Sequence, residues 1–370
     1  MERYGNIRFT SKQRNNFYAT AKKRIDQYFQ DNGISPNANN VMYLKTIILL
    51  SAYCIPFIII LLVQPGWWAL LLWALMGFAM AGIGMSIMHD ANHGAYSANE
   101  KINYLLGHTL TFIGGSVFNW KLQHNKLHHT FTNVTYVDDD IADKAILKLS
   151  PHTQVKKVHS YQHYFSVLLY SIATLYWVFV KDFMQIHRYT KYKVNKNSSA
   201  ANIYALIRLI VSKIAYVLLM LVVPVAVFKI PFIQVISGFI LLHLISGVVL
   251  TVVFQLAHTV EGTTHPMPNE NKTIENDWAI HQMETTVNFS PENKWLSWYV
   301  GGLNYQVEHH LFPKICHVHY PKIAPILKQT AEEFGVLYLE NKTFIDALKA
   351  HFSALKRFGN MPKLSEAIAG

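Results

Sequence analysis

Three short stretches hold most of the chemistry available to this chain: His89-Asp-Ala-Asn-His93, His124-Asn-Lys-Leu-His128-His129 and Gln306-Val-Glu-His309-His310. On a helix, residues four apart share a face. His89 and His93 therefore point one way, as do His124 and His128, with His129 turned by about 100°. Gln306 and His310 share a face, with His309 beside them. Seven imidazoles and one glutamine exceed the three or four protein ligands usual for a single zinc ion. Imidazole ligation suits iron, copper, zinc and nickel. If the clusters meet in space they form a nitrogen-rich site for more than one metal ion, and two iron ions are the economical reading. The isolated histidines are read as structural: His108, His152, His159, His163, His187, His265, His317, His319 and His351. His243 lies inside an apolar run, where a hydrogen bond within a helix bundle is expected.

For the clusters to meet, the apolar segments between them must return the chain to one side of a membrane. Of the 370 residues, 51% are hydrophobic and only 15% are charged. Thr46 to Val63, Trp67 to Met88, Ile203 to Phe228 and Ile230 to Gln255 are each near the roughly 20 residues that cross a bilayer. Gln64-Pro65-Gly66 and Lys229-Ile-Pro231 turn the chain back. Arg208 and Lys213 lie near the start of the third run, where long side chains snorkel to the interface. The division that follows is a basic N-terminal segment (1–40), a hairpin (41–88), a polar segment with the first two clusters (89–202), a second hairpin (203–257) and a cap with the third cluster (258–370).

An even number of crossings separates the clusters, so all three lie on one face. The basic residues Arg3, Arg8, Lys12, Arg14, Lys22, Lys23 and Arg24 lie on that face too, while the tight turns hold a single lysine. The positive-inside rule places this face, with both termini, in the cytosol. Tyr104 to Phe118 reads as an interfacial or partly inserted helix. Tyr164 to Phe183 is left open between an interfacial helix and a full span, which would break the topology. Asn15 to Phe29 and Phe344 to Phe358 have amphipathic spacing. The fold class expected is an all-α integral membrane protein with four transmembrane helices, interfacial helices and a cytosolic cap.

The net charge of +11 does not point to nucleic acid. The basic residues cluster beside the apolar runs, which makes an anionic membrane surface the better partner. Cys54 and Cys316 are the only cysteines, so neither a disulfide framework nor a zinc ribbon is available. Residues 1–40 are polar, and no cleavable signal peptide is expected.

With this hydropathy, the HxxxH, HxxxHH and QxxHH boxes resemble the membrane fatty-acid desaturase superfamily. The glutamine that opens the third box, within Gly301-Gly-Leu-Asn-Tyr-Gln-Val-Glu-His-His-Leu-Phe-Pro313, is similar to the front-end acyl desaturase branch. The similarity runs from about His89 to Pro325. It implies a non-haem di-iron centre that activates O2 and removes two hydrogens from a long-chain acyl lipid or acyl thioester. The product would carry a cis double bond on the carboxyl side of an existing one. His89, His93, His124, His128, His129, His309 and His310 carry over as catalytic iron ligands. A further ligand is implied where the fourth span re-enters the cytosol, the place of His258, and His281 is a second candidate. Gln306 replaces a histidine of other branches, and binds iron directly, binds through water or sits behind the ligands.

Asp90, Asn92, Glu308 and the run Asp138-Asp-Asp140 are candidates to orient ligating imidazoles through the other ring nitrogen. A solvated acidic loop is the alternative for the run that ends at Asp140. Trp120 and Tyr305 are candidate walls of an acyl tunnel, or interfacial anchors. Neither terminus carries a His-Pro-Gly-Gly haem motif. Two electrons per turnover are then expected from a separate ferredoxin or cytochrome b5, and a basic face suits an acidic carrier. The same face suits anionic membrane lipids, acyl-CoA or the phosphopantetheine of acyl-ACP. A fatty-acyl hydroxylase is the alternative within the same chemistry, because both reactions begin with hydrogen abstraction. A histidine-rich metal transporter is the alternative from another class. It would need ionisable residues along a path within the spans, whereas the clusters lie outside them.

Overall fold

The computed structural model of the chain describes residues 7–10, 16–141 and 146–362. Arg3, Lys12 and Arg14 of the basic N-terminal segment lie outside them. Helix α1 (Phe17–Asp31) precedes a hairpin of α2 (Asn40–Val63) and α3 (Gly66–His93). A short helix α4 (Glu100–Gly107) follows, and then the π-helical α5 (Lys121–His128). Helices α6 (Lys157–Ser171) and α7 (Ala173–Lys191) form a pair bent by 60°. A second hairpin joins α8 (Ser199–Val227) to α9 (Phe232–His258). Helices α10 (Trp278–Thr285), α11 (Gln306–Leu311), α12 (Tyr320–Glu333) and α13 (Phe344–Gly359) complete the chain. Among the described residues the only strand pairings are two short parallel ones, Arg8 and Phe9 on Thr273 and Ile274, and Asn288 and Phe289 on Glu340 and Asn341.

The chain divides into two compact units, of which one comprises Ala38–Leu122 and Val167–Val252. This unit is apolar on its outside: Ile47, Leu62, Leu71, Ile207 and Val211 are all exposed. Such a surface belongs in lipid, where helices satisfy every backbone group internally. Among the described residues, four helices are long and apolar enough to span: α2, α3, α8 and α9. Asn39 caps α2 by accepting from the N–H groups of Val41 and Met42. Gln64 ends it in the left-handed conformation, and exposed Trp67 and Trp68 follow at the turn, the depth that tryptophan favours in membranes. The Gln64 amide donates to the Phe228 carbonyl, 2.6 Å, and so ties the two hairpin turns together.

Helices α3 and α9 run past the predicted ends of their spans, to His93 and His258. At 28 residues, α3 is about 42 Å long, against roughly 30 Å of hydrocarbon. The excess carries the first histidine cluster on the same rigid rod as the span. The segment 164–183, left open from sequence, is not one straight span but two helices bent by 60°. Gly247 of α9 packs at the bend: a Cβ there would lie 2.3 Å from the Ser171 carbonyl oxygen. Beside it the expected internal bonds of His243 are present, to Tyr216 (3.0 Å) and Thr174 (3.1 Å). The stretch Tyr104 to Phe118 is not the single helix expected: α4 ends at Gly107, two four-residue helical turns follow at Thr109–Phe112 and Val117–Trp120, and Gly114 (φ +92°) breaks the helix between them.

Lys213 does not snorkel. It is buried, and its ammonium donates to the Asp182 carboxylate and the Gly114 carbonyl. Asn119 and the Trp177 indole also donate to Asp182.

The other unit takes in the described parts of Met1–Asn37, Gln123–Ser166 and Val253–Gly370. The cap is therefore discontinuous in sequence: it contains the second cluster and α1 as well as the third cluster. Phe17, Ala21, Ile25 and Phe29, the apolar face predicted for α1, are buried against Leu311, Phe312, Ile323 and Leu327. Arg24 bonds to Glu333 at 2.6 Å at the edge of this contact. At the far end Gly359 of α13 lies so close to the His159 carbonyl that a Cβ would approach within 2.0 Å.

Removing one member of a buried ion pair strands the other, at a cost of about 3–5 kcal/mol. Lys213→Met should destabilise the detergent-solubilised protein by about that much, and Lys213→Met with Asp182→Leu by clearly less. Thermal unfolding of the two variants checks this.

Candidate metal centre

The first cluster sits on the last turns of α3, just after a π-helical turn at Ile83–Ile87. Gly94 (φ +76°) ends the helix in a conformation that glycine adopts freely. The rings of His89 and His93 face each other with centroids 4.7 Å apart. Trp120, expected as a tunnel wall, stands edge-on to both, at 5.7 and 5.6 Å. Asp90 lies 3.8 Å from His89 Nδ1, beyond hydrogen-bond length. Asn92 donates to the Gly107 carbonyl, 3.1 Å. It locks α3 to α4.

The second cluster departs from its predicted geometry. Lys121–His128 is a π-helix, and the His129 N–H donates to the His124 carbonyl five residues back, at 3.0 Å. In this wider turn, residues i+4 and i+5 straddle residue i. His129 is therefore not turned away: its Nε2 is 3.2 Å from that of His124. The HxxxHH spacing suits a π-helix, in which all three imidazoles share a face, and π-turns recur at functional sites.

The third cluster lies on α11, and α9 ends at His258. Within the cap unit, His128, His258 and His310 each offer a ring nitrogen within 4.8 Å of the others, and His124 and His309 are equally close. All are buried. Four of the Nδ1 atoms have named partners. His128 Nδ1–H donates to Asp138, 2.9 Å. His258 Nδ1–H donates to the Thr285 carbonyl, 3.3 Å. His309 faces the Tyr320 hydroxyl, 3.3 Å, and His310 donates to Gln282, 2.9 Å. Each of these bonds directs Nε2 to the opposite side of its ring. Nε2 of His128 and of His258 is buried and meets no hydrogen-bond partner among the described residues. A buried polar atom in that state needs an explanation, and a metal ion shared by neutral imidazoles supplies one. The donor set fits iron.

Burial alone would lower the His128 imidazole, but the Asp138 carboxylate outweighs it and holds the ring above its ordinary value. Burial would likewise raise Asp138, and the attraction of His128 holds it below the usual carboxylate range. Asp138 is thus the member of the acidic run that fixes an imidazole of the second cluster. Asp140 stands 3.8 Å from His128 Nδ1 and accepts from Gln123 instead.

Glu308 was a candidate for the same role and takes another. It accepts from Asn288 and Tyr338, both at 2.8 Å, and burial pushes it up to about 7. Because Asn288 also accepts from the Val307 N–H, 2.9 Å, this trio anchors the start of α11. Gln306 lies against the His258 ring. His281 is buried against Phe9, ring centroids 5.0 Å apart, and burial pushes it down to about 4. Among the described residues it joins neither ligand group. Tyr305 packs in the cap core, and its hydroxyl donates to the Pro291 carbonyl. Gln282, Thr132, Asn133, Thr285 and Tyr320 were not singled out from sequence. The signal for Gln282 was its place beside His281, where attention went to the residue type that binds metal.

The Fatty acid desaturase family model matches residues 65–342. The chain belongs to this family. Its relatives include the sn-1 linoleoyl-lipid 6-desaturase of Arthrospira platensis, 39% identical over 94% of both chains. The protein of the same name from Synechocystis sp. is 35% identical over 95% of this chain and 98% of its own length. An Acyl-lipid (8-3)-desaturase of Physcomitrium patens is 35% identical over 95% of this chain and 74% of its own. This desaturase is thus an integral membrane oxidoreductase whose reaction depends on metal and O2, and its histidine clusters fit the metal.

Partners of ligating imidazoles tune metal affinity, typically by 10- to 100-fold. Asp138→Asn should therefore weaken binding at one metal site by about that factor, with the fold retained. Competition with a coloured chelator measures it.

Proposed function

We propose that this desaturase is a front-end acyl-lipid desaturase with two iron ions. One would be held by His128, His258 and His310, and the other by His124, His129 and His309. The first box implies His89 and His93 as further iron ligands. The observation that carries the reading is the gathering of His128, His258 and His310 from three distant parts of the chain, with Nδ1 of each already engaged. The full-length similarity to linoleoyl-lipid 6-desaturases supports the substrate class, an acyl lipid already unsaturated, and a new bond at carbon 6.

An unactivated methylene has no proton that a side-chain base can take, so iron, when bound, supplies the O2-dependent oxidising chemistry. The chain's own residues do the rest. Asp138, Thr285, Gln282 and Tyr320 fix the imidazoles before metal arrives, so no reorganisation is left for turnover. The buried clusters keep water from the reacting carbons. Gln306, against His258, fills a ligand position with a weak neutral donor and leaves that side of the site open to change. Electrons would come from a separate ferredoxin or cytochrome b5, and the positive charge of the chain suits an acidic carrier. The positive-inside rule supports a cytosolic centre and cytosolic termini.

The test is a lipid profile. The chain is expressed with suitable electron carriers in a host supplied with saturated, mono- and di-unsaturated acids, and new double bonds are located by mass spectrometry. A new bond on the carboxyl side of an existing one, absent with His309→Ala, is expected. A hydroxylated product would replace this reading with a hydroxylase, and purified protein holding well below two irons per chain would defeat the di-iron assignment.

A further inference from the structure

Asn133 occupies the point where three segments of the cap unit meet. Its backbone is left-handed (φ +59°), a region that asparagine tolerates better than most residues. In this pose its N–H donates to Asp138 Oδ2 at 3.0 Å, the oxygen that also accepts from His128 Nδ1. Its buried side-chain amide donates to the carbonyls of His258 (3.0 Å), Thr264 (3.2 Å) and Thr285 (3.3 Å). The Thr285 carbonyl is the acceptor for His258 Nδ1–H. Thr132, the preceding residue, places its hydroxyl within hydrogen-bond reach of both the His128 carbonyl (2.7 Å) and Gln282 Oε1 (2.8 Å), which share its one proton. That oxygen accepts from His310 Nδ1, which lies 3.2 Å from the Thr132 hydroxyl. One dipeptide thus grips the orienting partner of each imidazole: Asp138 for His128, Thr285 for His258 and Gln282 for His310.

We infer that Thr132 and Asn133 are positioning residues that set the geometry, and so the affinity, of the metal site formed by His128, His258 and His310. The inference rests on the metal reading above. Neither residue is a ligand. Each acts one bond behind the ligands, and together they couple segments that are far apart in sequence. An asparagine whose only task was to shape a turn would hold the carbonyls of its own loop. Asn133 instead holds those of a ligand and of the ligand's own acceptor.

The test uses the full chain, stripped of metal and titrated with Fe(II) without air, beside Asn133→Gly and Thr132→Val. Glycine keeps the left-handed backbone and its N–H and removes only the amide; valine keeps the shape of threonine without the hydroxyl. In each variant one iron should be held as in the parent chain, and the other should be lost to a competing chelator about 10- to 100-fold more readily. The Mössbauer signal of one of the two irons should change, and the melting temperature of the metal-free chain should not. Parental affinity for both irons in both variants overturns the inference. So does equal weakening of both irons with a lowered metal-free melting temperature in both variants, which is what a purely structural role produces. Should Asn133→Gly alone be unstable, Thr132→Val decides. A parent chain that takes up no iron would instead overturn the metal reading itself.

Discussion

A buried imidazole serves as a metal ligand only when its second nitrogen is held. Leaving that N–H without an acceptor in the interior costs about 1–3 kcal/mol, and leaving the ring free to rotate loses the geometry the metal needs. The cap unit is arranged around this constraint. His128 leans on a carboxylate, His258 on a main-chain carbonyl, His309 on a phenol and His310 on a carboxamide. Four chemically different acceptors do one job, and they come from three different segments, since Gln282 and Thr285 share α10. The contacts of α1 with α11 and α12, and of Asn288 and Tyr338 with Glu308, are the scaffolding that keeps those acceptors in place.

The membrane helices answer a second constraint. A histidine on the end of a membrane helix is fixed by that helix, where a flexible linker would not fix it. The chain extends α3 and α9 beyond the length that hydrocarbon requires, so His89, His93 and His258 ride on the ends of helices that begin within the membrane. The bend between α6 and α7, with α9 packed closely at Gly247, brings a polar network of His243, Tyr216 and Thr174 into an apolar unit without exposing it. Lys213 and Asp182 are buried in the same unit, where each supplies the other's partner.

Much of this was legible in the sequence because hydropathy and histidine spacing are strong local signals. The two hairpins followed from apolar runs and their turn residues, and the faces of α1 and α13 from periodicity. The family followed from three boxes taken together. What was hidden depended on contacts between distant segments. Nothing local distinguishes Asp138, which holds His128, from Asp140, which does not. Glu308 stands beside His309 in sequence, yet side chains of adjacent helical residues point apart, and it turns to Asn288 and Tyr338. The place of His129 was misjudged because an α-helix was assumed, and i→i+5 bonding is not written in residue type. Thr132 and Asn133 looked like ordinary loop residues, since the partners that tie them to other segments, His258, Thr264, Gln282 and Thr285, lie more than a hundred positions away.

On the reading proposed above, the boxes would hold two metal ions through nitrogens already aimed by their neighbours. Anomalous scattering at the iron edge from crystals of the iron-loaded protein addresses it most directly. Two peaks are predicted, one of them within bonding distance of Nε2 of His128, His258 and His310. A single peak, or peaks reached through Nδ1 with the bonds to Asp138 and Gln282 broken, would contradict the account.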